Sequence, residues 1–429
     1  MAHATMFRTQ RWLAVAAVCV LGLSAAACDL DEILEVQNPG VIYDEDLEDP
    51  ELVEVVVRGL DYELANFVDE NAFAVARMTD EIVGGGSYPE TSRLRLGIIL
   101  DTDTDGHWEQ MHEARWMAEI GIERLQRVLG PDFEGSPYTA QAYLVGGIAN
   151  RALGENFCEV IYDAGPVEPR TVAFERAVAM LQEAIRHGEM AGEEAEEYVL
   201  AAYGALAQAF VGLGRWDDAV AAAAHVPTDF VYEADYHTED NTNTLYSEFY
   251  IRYEGSAIST LAGSFDPPDP RAPYTDCSES EDCRAEQGAD GVTLVYRQEK
   301  YPAIDTDIPM VKGTEMRLIE AEAALLDDDL PTFTSKINEV RTFYGLGTIA
   351  QPTSAGALEH PNAGDDAWSI LDRERHLTLW LEGRRLWDLH RWNHPFLNGG
   401  TLVDRYPGVE NRASCYPIPE VEKTRNPNI

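Results

Sequence analysis

Residues 201–226 read AAYGALAQAFVGLGRWDDAVAAAAHV, and this stretch decides the fold. Small side chains at Ala202, Ala205 and Ala209 recur at helical spacing and let two helices approach closely. Larger side chains lie between them: Tyr203, Leu206, Phe210 and Leu213. A Gly-Arg-Trp turn then interrupts the pattern. The stretch therefore predicts a pair of packed helices over 196–213 and 217–225.

This pair resembles a tetratricopeptide repeat, a helix pair that buries its apolar face by stacking on its neighbours. A second clear pair is predicted over 315–326 and 330–343, and a more degenerate one over 139–153 and 174–187. The spacing is too irregular for a free-standing solenoid. We therefore predict a mostly α fold, a tetratricopeptide-like helix-pair scaffold with one irregular region of loops and short strands.

The rest of the chain divides around this scaffold. Apolar periodicity predicts helices over 47–60, 75–82, 107–129 and 368–391, with Asp105 as the N-cap of the third. Over 226–309 the period fades, and we expect loops, short strands such as 249–253 and 293–296, and one helix near 256–263. Charges between 374 and 391 alternate with leucines, which predicts a scaffold helix whose charged face is paired or solvated.

The N-terminus carries an export signal. Arg8 and Arg11 precede an apolar run over 12–23, which is too short for a permanent membrane span, and small residues then lead to Cys28. This order resembles a lipoprotein signal, so we predict a signal peptide over 1–27 and a lipid on Cys28 that anchors the chain to a membrane. Ordinary signal cleavage with Cys28 incidental is the alternative. We expect residues 28–429 to form one domain, with a helical body over about 45–225 and 310–392 and an insertion over about 226–309.

The chain is strongly acidic. It has 76 Asp and Glu against 32 Lys and Arg, for a formal net charge of −44. This charge argues against nucleic acid and anionic headgroups as partners. The alternative explanation is that high acidity is common to the proteins of the source organism's lineage and has no specific function here.

Four cysteines remain once Cys19 leaves with the signal and Cys28 takes the lipid. An even number in an exported protein predicts two disulfides. Cys277 and Cys283 lie in one polar loop and would close a small ring, which leaves Cys158 with Cys415. The sequence has no CxxC motif and no histidine cluster near these cysteines, so disulfides are favoured over a metal site.

Several segments in collinear order resemble the SusD/RagB family of lipoproteins. They cover nearly the whole mature chain: LEVQNPG at 34–40, Asp80-Glu81, Asp-Pro-Arg at 269–271, 309–323, 337–341, 372–392 and 416–429. Each fragment alone is weak, but their common order behind a lipoprotein signal is specific. The resemblance implies a SusD-like α-α superhelix exposed at the surface of an outer membrane.

The resemblance also implies a function. Such a protein would bind an oligosaccharide or a peptide and deliver it to a TonB-dependent, SusC-like transporter, without catalysis. No GxSxG, HExxH, Walker or dinucleotide motif is present in the sequence. Two other functions remain open: a tetratricopeptide-type adaptor for a protein partner, and a surface glycosidase acting through an unrecognised carboxylate pair.

Ligand-binding candidates are aromatic residues in loops, because sugars stack on flat rings and bond to surrounding polar groups. Tyr88 follows Gly84-Gly85-Gly86 and has Arg93 nearby. The family's ligand face includes the matching loop, and the irregular central region adds Tyr246, Tyr250 and Tyr274. Each of these rings could instead be packed or merely exposed.

One weak metal candidate precedes the helix at 107–129. Asp101, Asp103 and Asp105 with Gly106 open like a Ca²⁺-binding loop. The twelfth position is His112, where such a loop needs a bidentate glutamate. A polar loop at a helix start is the alternative, and we expect no other cofactor.

Overall fold

The structure, a computed structural model, describes residue 44 and residues 46–359, 364–400 and 409–429. Asp49–Ile429 forms one compact unit. Met1–Glu48 is a separate unit, of which only residue 44 and the 3-10 turn Asp46–Glu48 are described. Cys28 and the predicted signal peptide therefore lie outside the described residues.

Helices dominate the described chain, which confirms the predicted fold class. Those of six residues or longer are α1 (Val53–Met78), α2 (Pro89–Arg95), α3 (Asp105–Leu129), α4 (Pro137–Asn156), α5 (Thr171–Ala191), α6 (Glu196–Gly212), α7 (Trp216–Ala223), α8 (Gly313–Leu326), α9 (Leu330–Phe343), α10 (Ala367–Thr378), α11 (Arg385–Arg391) and α12 (Glu420–Arg425).

The strands of the described residues are short and pair in twos. They are β1 (Val83–Gly84), β2 (Glu159–Val160), β3 (Glu168–Pro169), β4 (Val231–Ala234), β5 (Gly255–Ser256), β6 (Tyr274–Asp276), β7 (Tyr296–Gln298) and β8 (Ile308–Lys312). The antiparallel pairs are β1 with β5, β2 with β3, β4 with β8, and β6 with β7. Because two-stranded ladders enclose no core, the helices supply it.

Successive helices pack as the sequence predicts. α6 and α7 form the predicted pair, and Ala202, Ala205 and Ala209 are fully buried between neighbouring helices. α5 packs between α4 and α6. A side chain at Gly147 of α4 would overlap Leu181 of α5, so this glycine allows the close approach. A smaller core joins α8, α9 and α10 around Phe333.

Several local predictions were wrong at the ends of helices. One helix, α1, spans residues 53–60 and 75–78 of the two predicted helices, whereas 47–52 and 79–82 lie outside it. Thr104, not Asp105, is the residue at the N-cap of α3, and it makes no side-chain capping bond. The Asp105 carboxylate instead accepts from the Val421 backbone N–H at 3.2 Å.

The central region also differs from its alternation pattern. Residues 249–253 were predicted as a strand, but Ser247–Ile251 is a π-helical turn that follows the short helical segment Thr244–Tyr246. The helix predicted near 256–263 is absent there, where β5 is followed by bends and the 3-10 turn Ala262–Ser264. Short alternating runs do not distinguish a strand from a tight turn.

The long helix predicted over 368–391 is interrupted between α10 and α11. Leu381 and Gly383 have φ values of 59° and 70°, which no α-helix accommodates. The break aims the Leu381 N–H at Glu81 Oε1, 2.8 Å away, and the Trp380 indole N–H at the Glu81 carbonyl, 3.1 Å away. Contacts with a residue about 300 positions earlier therefore override the local periodicity.

The charges around this break are paired, which is one of the two predicted alternatives, and the pairs are buried. Arg385 donates to Asp80 and Asp372, and Arg384 donates to Glu155 and Glu315. Charged groups this deep are tolerated only when they are paired and hydrogen-bonded. The network joins α10 and α11 to α4, α8 and the segment that follows α1.

Both predicted disulfides are present. Cys158–Cys415 closes a separation of 257 residues, and Cys277–Cys283 closes one of 6. The first holds the C-terminal segment against the end of α4, where the Tyr416 N–H also donates to the Asn156 carbonyl at 2.7 Å. None of the helices in the described ranges is both long and apolar enough to cross a membrane.

Candidate functional site

A cavity of about 440 Å³ opens beside α1, α2, α3 and the turn at 247–251. This volume lies within the usual range of small-ligand pockets, roughly 300–1,000 Å³. Five acidic side chains line it: Glu70, Glu90, Asp103, Glu248 and Glu254. The other lining side chains include two arginines and three aromatic rings, namely Arg77, Arg252, Phe73, Tyr88 and His107.

The glycine run shapes one wall of the cavity. Gly84 pairs with Gly255 in the β1–β5 ladder, and the Gly85 N–H donates to the Glu254 carbonyl at 2.8 Å. A Cβ at Gly86 would overlap Oε2 of Glu254 and lie 2.6 Å from Oγ1 of Thr91. Glycine at position 86 therefore lets the Glu254 carboxylate lie directly against this loop, and any side chain there would displace it.

Tyr88 lies at the cavity as the residue that precedes α2, with 57% of its surface exposed. Pro89 follows at the first helical position and favours extended backbone at Tyr88. Arg93, one turn further, donates to Asp103 Oδ1 at 2.6 Å, and Asp103 lines the cavity. Of the two candidates in this loop, Tyr88 lines the cavity and Arg93 orients an acid that does.

The arginines of the cavity are held by acids on its walls. Arg77 lies 3.2 Å from Glu90, with its guanidinium over the Phe73 ring at 4.5 Å. Arg252 donates to Glu248 Oε1 at 2.7 Å. Each guanidinium carries five N–H donors, so one carboxylate leaves donors for other acceptors. The result is a set of fixed donors and acceptors beside an exposed ring.

Burial also changes the protonation of the site. It raises the pKa of Glu248 to about 6, against the opposing charge of Arg252. Burial likewise raises the pKa of Glu254. The pKa of His107 is lowered to about 4 by burial and by Arg77, so His107 is neutral at pH 7. The cleft thus combines five carboxyl groups with two guanidinium groups and a neutral imidazole.

The three central tyrosines predicted as ligand contacts do not line this cavity. Tyr246 and Tyr250 stack on each other with ring centres 4.8 Å apart, and the Tyr250 hydroxyl donates to Glu299 at 2.6 Å. Tyr274 stacks on Tyr296 at 5.0 Å, and its hydroxyl donates to the Phe265 carbonyl at 2.8 Å. The three rings are thus stacked on neighbouring rings, and the Tyr250 and Tyr274 hydroxyls are bonded to protein acceptors.

The sequence did not single out the two arginines of the cavity or its acids from the irregular region, namely Arg77, Arg252, Glu248 and Glu254. Arg252 and Glu254 belong to the irregular region, in Arg-Tyr-Glu-Gly at 252–255, where charge rather than aromaticity was the useful signal. Arg77 lies at the end of α1, and nothing local distinguishes it from any charge in a last helical turn. Only the fold brings these residues together.

The carboxylates of the predicted Ca²⁺ loop have different partners. Asp101 lies 3.4 Å from the Lys423 ammonium, Asp103 pairs with Arg93, and Asp105 accepts from a backbone N–H. No group of three acidic, histidine or cysteine side chains suited to a metal ion occurs in the described part of the chain.

A tetratricopeptide-like helical scaffold with a polar surface cleft defines the class to which this protein belongs. A model described as the SusD family matches residues 303–429. The resemblance to the SusD/RagB family is thereby confirmed. No curated protein matches the sequence.

Solved structures share the fold over most of the chain. A SusD superfamily protein from Bacteroides fragilis is 15% identical, with a TM-score of 0.65, covering 89% of this chain and 99% of its own. A SusD-like carbohydrate binding protein from Bacteroides vulgatus is 17% identical, with a TM-score of 0.61, and the coverage is 89% and 97%. A SusD/RagB family protein from Bacteroides thetaiotaomicron is 14% identical, with a TM-score of 0.63, and the coverage is 89% and 95%.

Proposed function

We propose that this protein is a lipid-anchored binding protein of the outer membrane that takes up an oligosaccharide in the cleft beside Tyr88. It delivers this ligand to a TonB-dependent, SusC-like transporter and breaks no bond itself. The single observation that carries the proposal is the cleft, where an exposed ring stands beside fixed guanidinium and carboxylate groups. The carbohydrate binding protein among the structural neighbours supports the same ligand class.

The chemistry of the cleft suits a sugar. The Tyr88 ring offers a flat face for the C–H side of a pyranose. Arg77 and Arg252 can donate to hydroxyl oxygens, and the carboxylates of Glu70 and Glu254 can accept from hydroxyl hydrogens. Because the polar groups hold each other in place before the ligand arrives, less side-chain entropy is lost on binding.

Ligand binding can be tested with an array of neutral, acidic and amino oligosaccharides, followed by calorimetry on the strongest ligand. Tyr88→Ala should weaken binding by about 1 kcal/mol, roughly fivefold, because it removes the stacking face. Tyr62→Ala is the matched control, since Tyr62 is 45% exposed on α1 and does not line the cleft. Equal affinities of the two variants would remove the cleft from the proposal. A strong peptide ligand with no glycan would change the ligand class.

The lipid anchor and the transporter need separate experiments in the native organism. Cys28→Ala should release the protein from the outer-membrane fraction, because no acyl chain can be added. Affinity purification of the tagged lipoprotein should recover a TonB-dependent barrel. Its absence, together with strong recovery of another protein, would favour the adaptor function instead.

One observation favours the rival function, a surface glycosidase. Glu248 lies in the cleft with its pKa raised to about 6, as a general acid requires, and Glu254 lies in the same cleft. If this pair hydrolyses glycans, the bound oligosaccharide should yield new reducing ends, and Glu248→Gln should abolish them. Under our proposal the wild-type protein releases none.

A further inference from the structure

A second cavity, of about 210 Å³, lies on another part of the scaffold and has an unusual lining. Residues from α1, the first turn of α6 and the β4–β8 ladder surround it. Its charged lining residues are all acidic: Asp61, Glu197, Glu233 and Asp235. Tyr198 and Tyr232 supply two rings, and no arginine, lysine or histidine is among its lining residues.

Two polar groups inside this cavity lack a partner in the described part of the chain. Tyr232 is only 7% exposed and lines the cavity, and its hydroxyl makes no hydrogen bond to another described residue. Asp61 Oδ2 accepts from Gln141 at 2.6 Å, but Oδ1 is buried without any donor. Buried acceptors are normally satisfied, so the bare Asp61 oxygen indicates a missing donor, and the unbonded Tyr232 hydroxyl is an additional acceptor at the cavity.

We propose that this cavity binds a primary ammonium group, as a site separate from the glycan cleft. An ammonium supplies three N–H donors and no acceptor, which matches a lining of carboxylates and a free phenol oxygen. The Tyr198 and Tyr232 rings would contribute cation–π attraction. A cavity below the usual size of ligand pockets suits one group of a larger molecule.

The acidic lining is not arranged for a metal ion, because no three acidic groups in the described residues converge for one. Asp61 lies at the buried end, whereas Glu197, Glu233 and Asp235 are exposed. A cation can therefore enter past three carboxylates and reach a fourth. This arrangement of carboxylates attracts cations and repels anions.

Protonation supports the same assignment. Burial raises the pKa of Asp61 to about 7, and the charges of Asp235 and Glu197 raise it further against the bond from Gln141. The basic groups that act on the rim are Lys312, on Glu233, and His237, on Asp235. Lys312 itself is held by Glu382 at 2.6 Å. A bound ammonium would favour ionised Asp61, so binding should release protons near pH 6 and tighten as the pH rises from 6 to 7.

The test uses full-length protein, calorimetry and two pairs of probes. Glucosamine against glucose tests an amino sugar as the source of the ammonium, and Nα-acetyl-lysine amide against Nα-acetyl-norleucine amide tests a lysine side chain. We expect one ammonium probe to bind at least about tenfold more tightly than its neutral partner. Its binding at pH 6 should release protons, seen as a heat that depends on the buffer.

Variants locate the site. Asp61→Asn and Glu197→Gln should each weaken the ammonium probe, Asp61→Asn by more than about tenfold. Glu197 is exposed, so its variant should fold even if Asp61→Asn does not. Glu175→Gln is the control, because it removes one exposed charge from α5, away from the cavity.

Equal binding of ammonium and neutral probes would overturn the proposal. So would an equal loss of affinity in Glu197→Gln and Glu175→Gln, which would reduce the effect to overall charge. Neither result depends on Tyr88, so the glycan proposal can fail or hold independently.

Discussion

The buried network around Arg385 makes the strongest prediction for stability. Arg385 is 2% exposed. Its Nε and Nη2 donate to the two oxygens of Asp80 at 2.7 and 2.8 Å, and its Nη1 donates to Asp372. Arg385→Met keeps a similar volume and removes all three bonds. Two carboxylates then lose a cation in a site that water does not reach.

The expected loss of stability is large because the variant leaves two buried carboxylates without their cation. Removing one partner of a buried ion pair costs about 3–5 kcal/mol, since the other charge remains desolvated. Here one guanidinium serves two carboxylates, so we expect a loss of about 5 kcal/mol in the free energy of unfolding. Single domains have only about 5–15 kcal/mol in total. The matched control is Arg58→Met, whose pair with Glu54 is exposed and should contribute below about 0.5 kcal/mol.

Urea unfolding of both variants and the wild type at pH 5 and pH 8 measures this loss. Burial alone would raise the pKa of Asp372, but the charge of Arg385 holds it well below its ordinary value. A carboxyl with a depressed pKa loses its stabilising effect only as the pH falls below about 4, so it adds no slope in this window. In the variant the same burial is unopposed by Arg385. The folded state then takes up protons at pH 5, and the difference from wild type should be smaller there than at pH 8.

Two results would refute this reasoning. One is a loss below about 1 kcal/mol at pH 8, close to that of the exposed control, because the network would then contribute no more than a surface pair. The other is a large loss that is identical at pH 5 and pH 8. That result would indicate a packing defect at position 385 rather than uncompensated carboxylates.

Three further predictions concern the cleft, the disulfides and a buried acid. Gly86→Ala should lower the glycan affinity measured by calorimetry several-fold, because the new methyl group displaces the Glu254 carboxylate. At Gly59 of α1 nothing lies within 4 Å of an added Cβ. Gly59→Ala should therefore raise the free energy of unfolding, measured in urea, by about 0.5–1 kcal/mol. Cys415→Ser should lower the thermal midpoint more than Cys283→Ser, because the first bond closes 257 residues and the second only 6, and equal shifts would contradict the chain-entropy argument. Burial raises the pKa of Asp69 to about 7, so between pH 4 and pH 7 the folded state holds a proton that the unfolded state has lost. The free energy of unfolding should therefore fall as the pH rises from 4 to 7. Asp69→Asn should make the urea midpoint less dependent on pH over this range.

The site was predictable only in part. Tyr88 could be found because a glycine run followed by an aromatic residue and a proline indicates an exposed ring on a constrained loop. Tyr246 and Tyr250 lack this signal and were chosen only as aromatic residues of the irregular region, where they stack on each other. Aromatic residues look alike in a sequence whether a neighbouring side chain or a ligand covers them. Arg252, which does reach the cleft, was not selected by that criterion.

The amino-acid sequence by itself determined the helix pairs and the pairing of the cysteines. Residues 330–343 form a helix with the predicted bounds, because apolar periodicity is a local property that the chain carries at every position. Tertiary structure alone decided the break after Thr378 and the meeting of Arg77 with Glu254 at one cavity. Both depend on groups far apart in the chain, and their energies arise only when folding removes those groups from water.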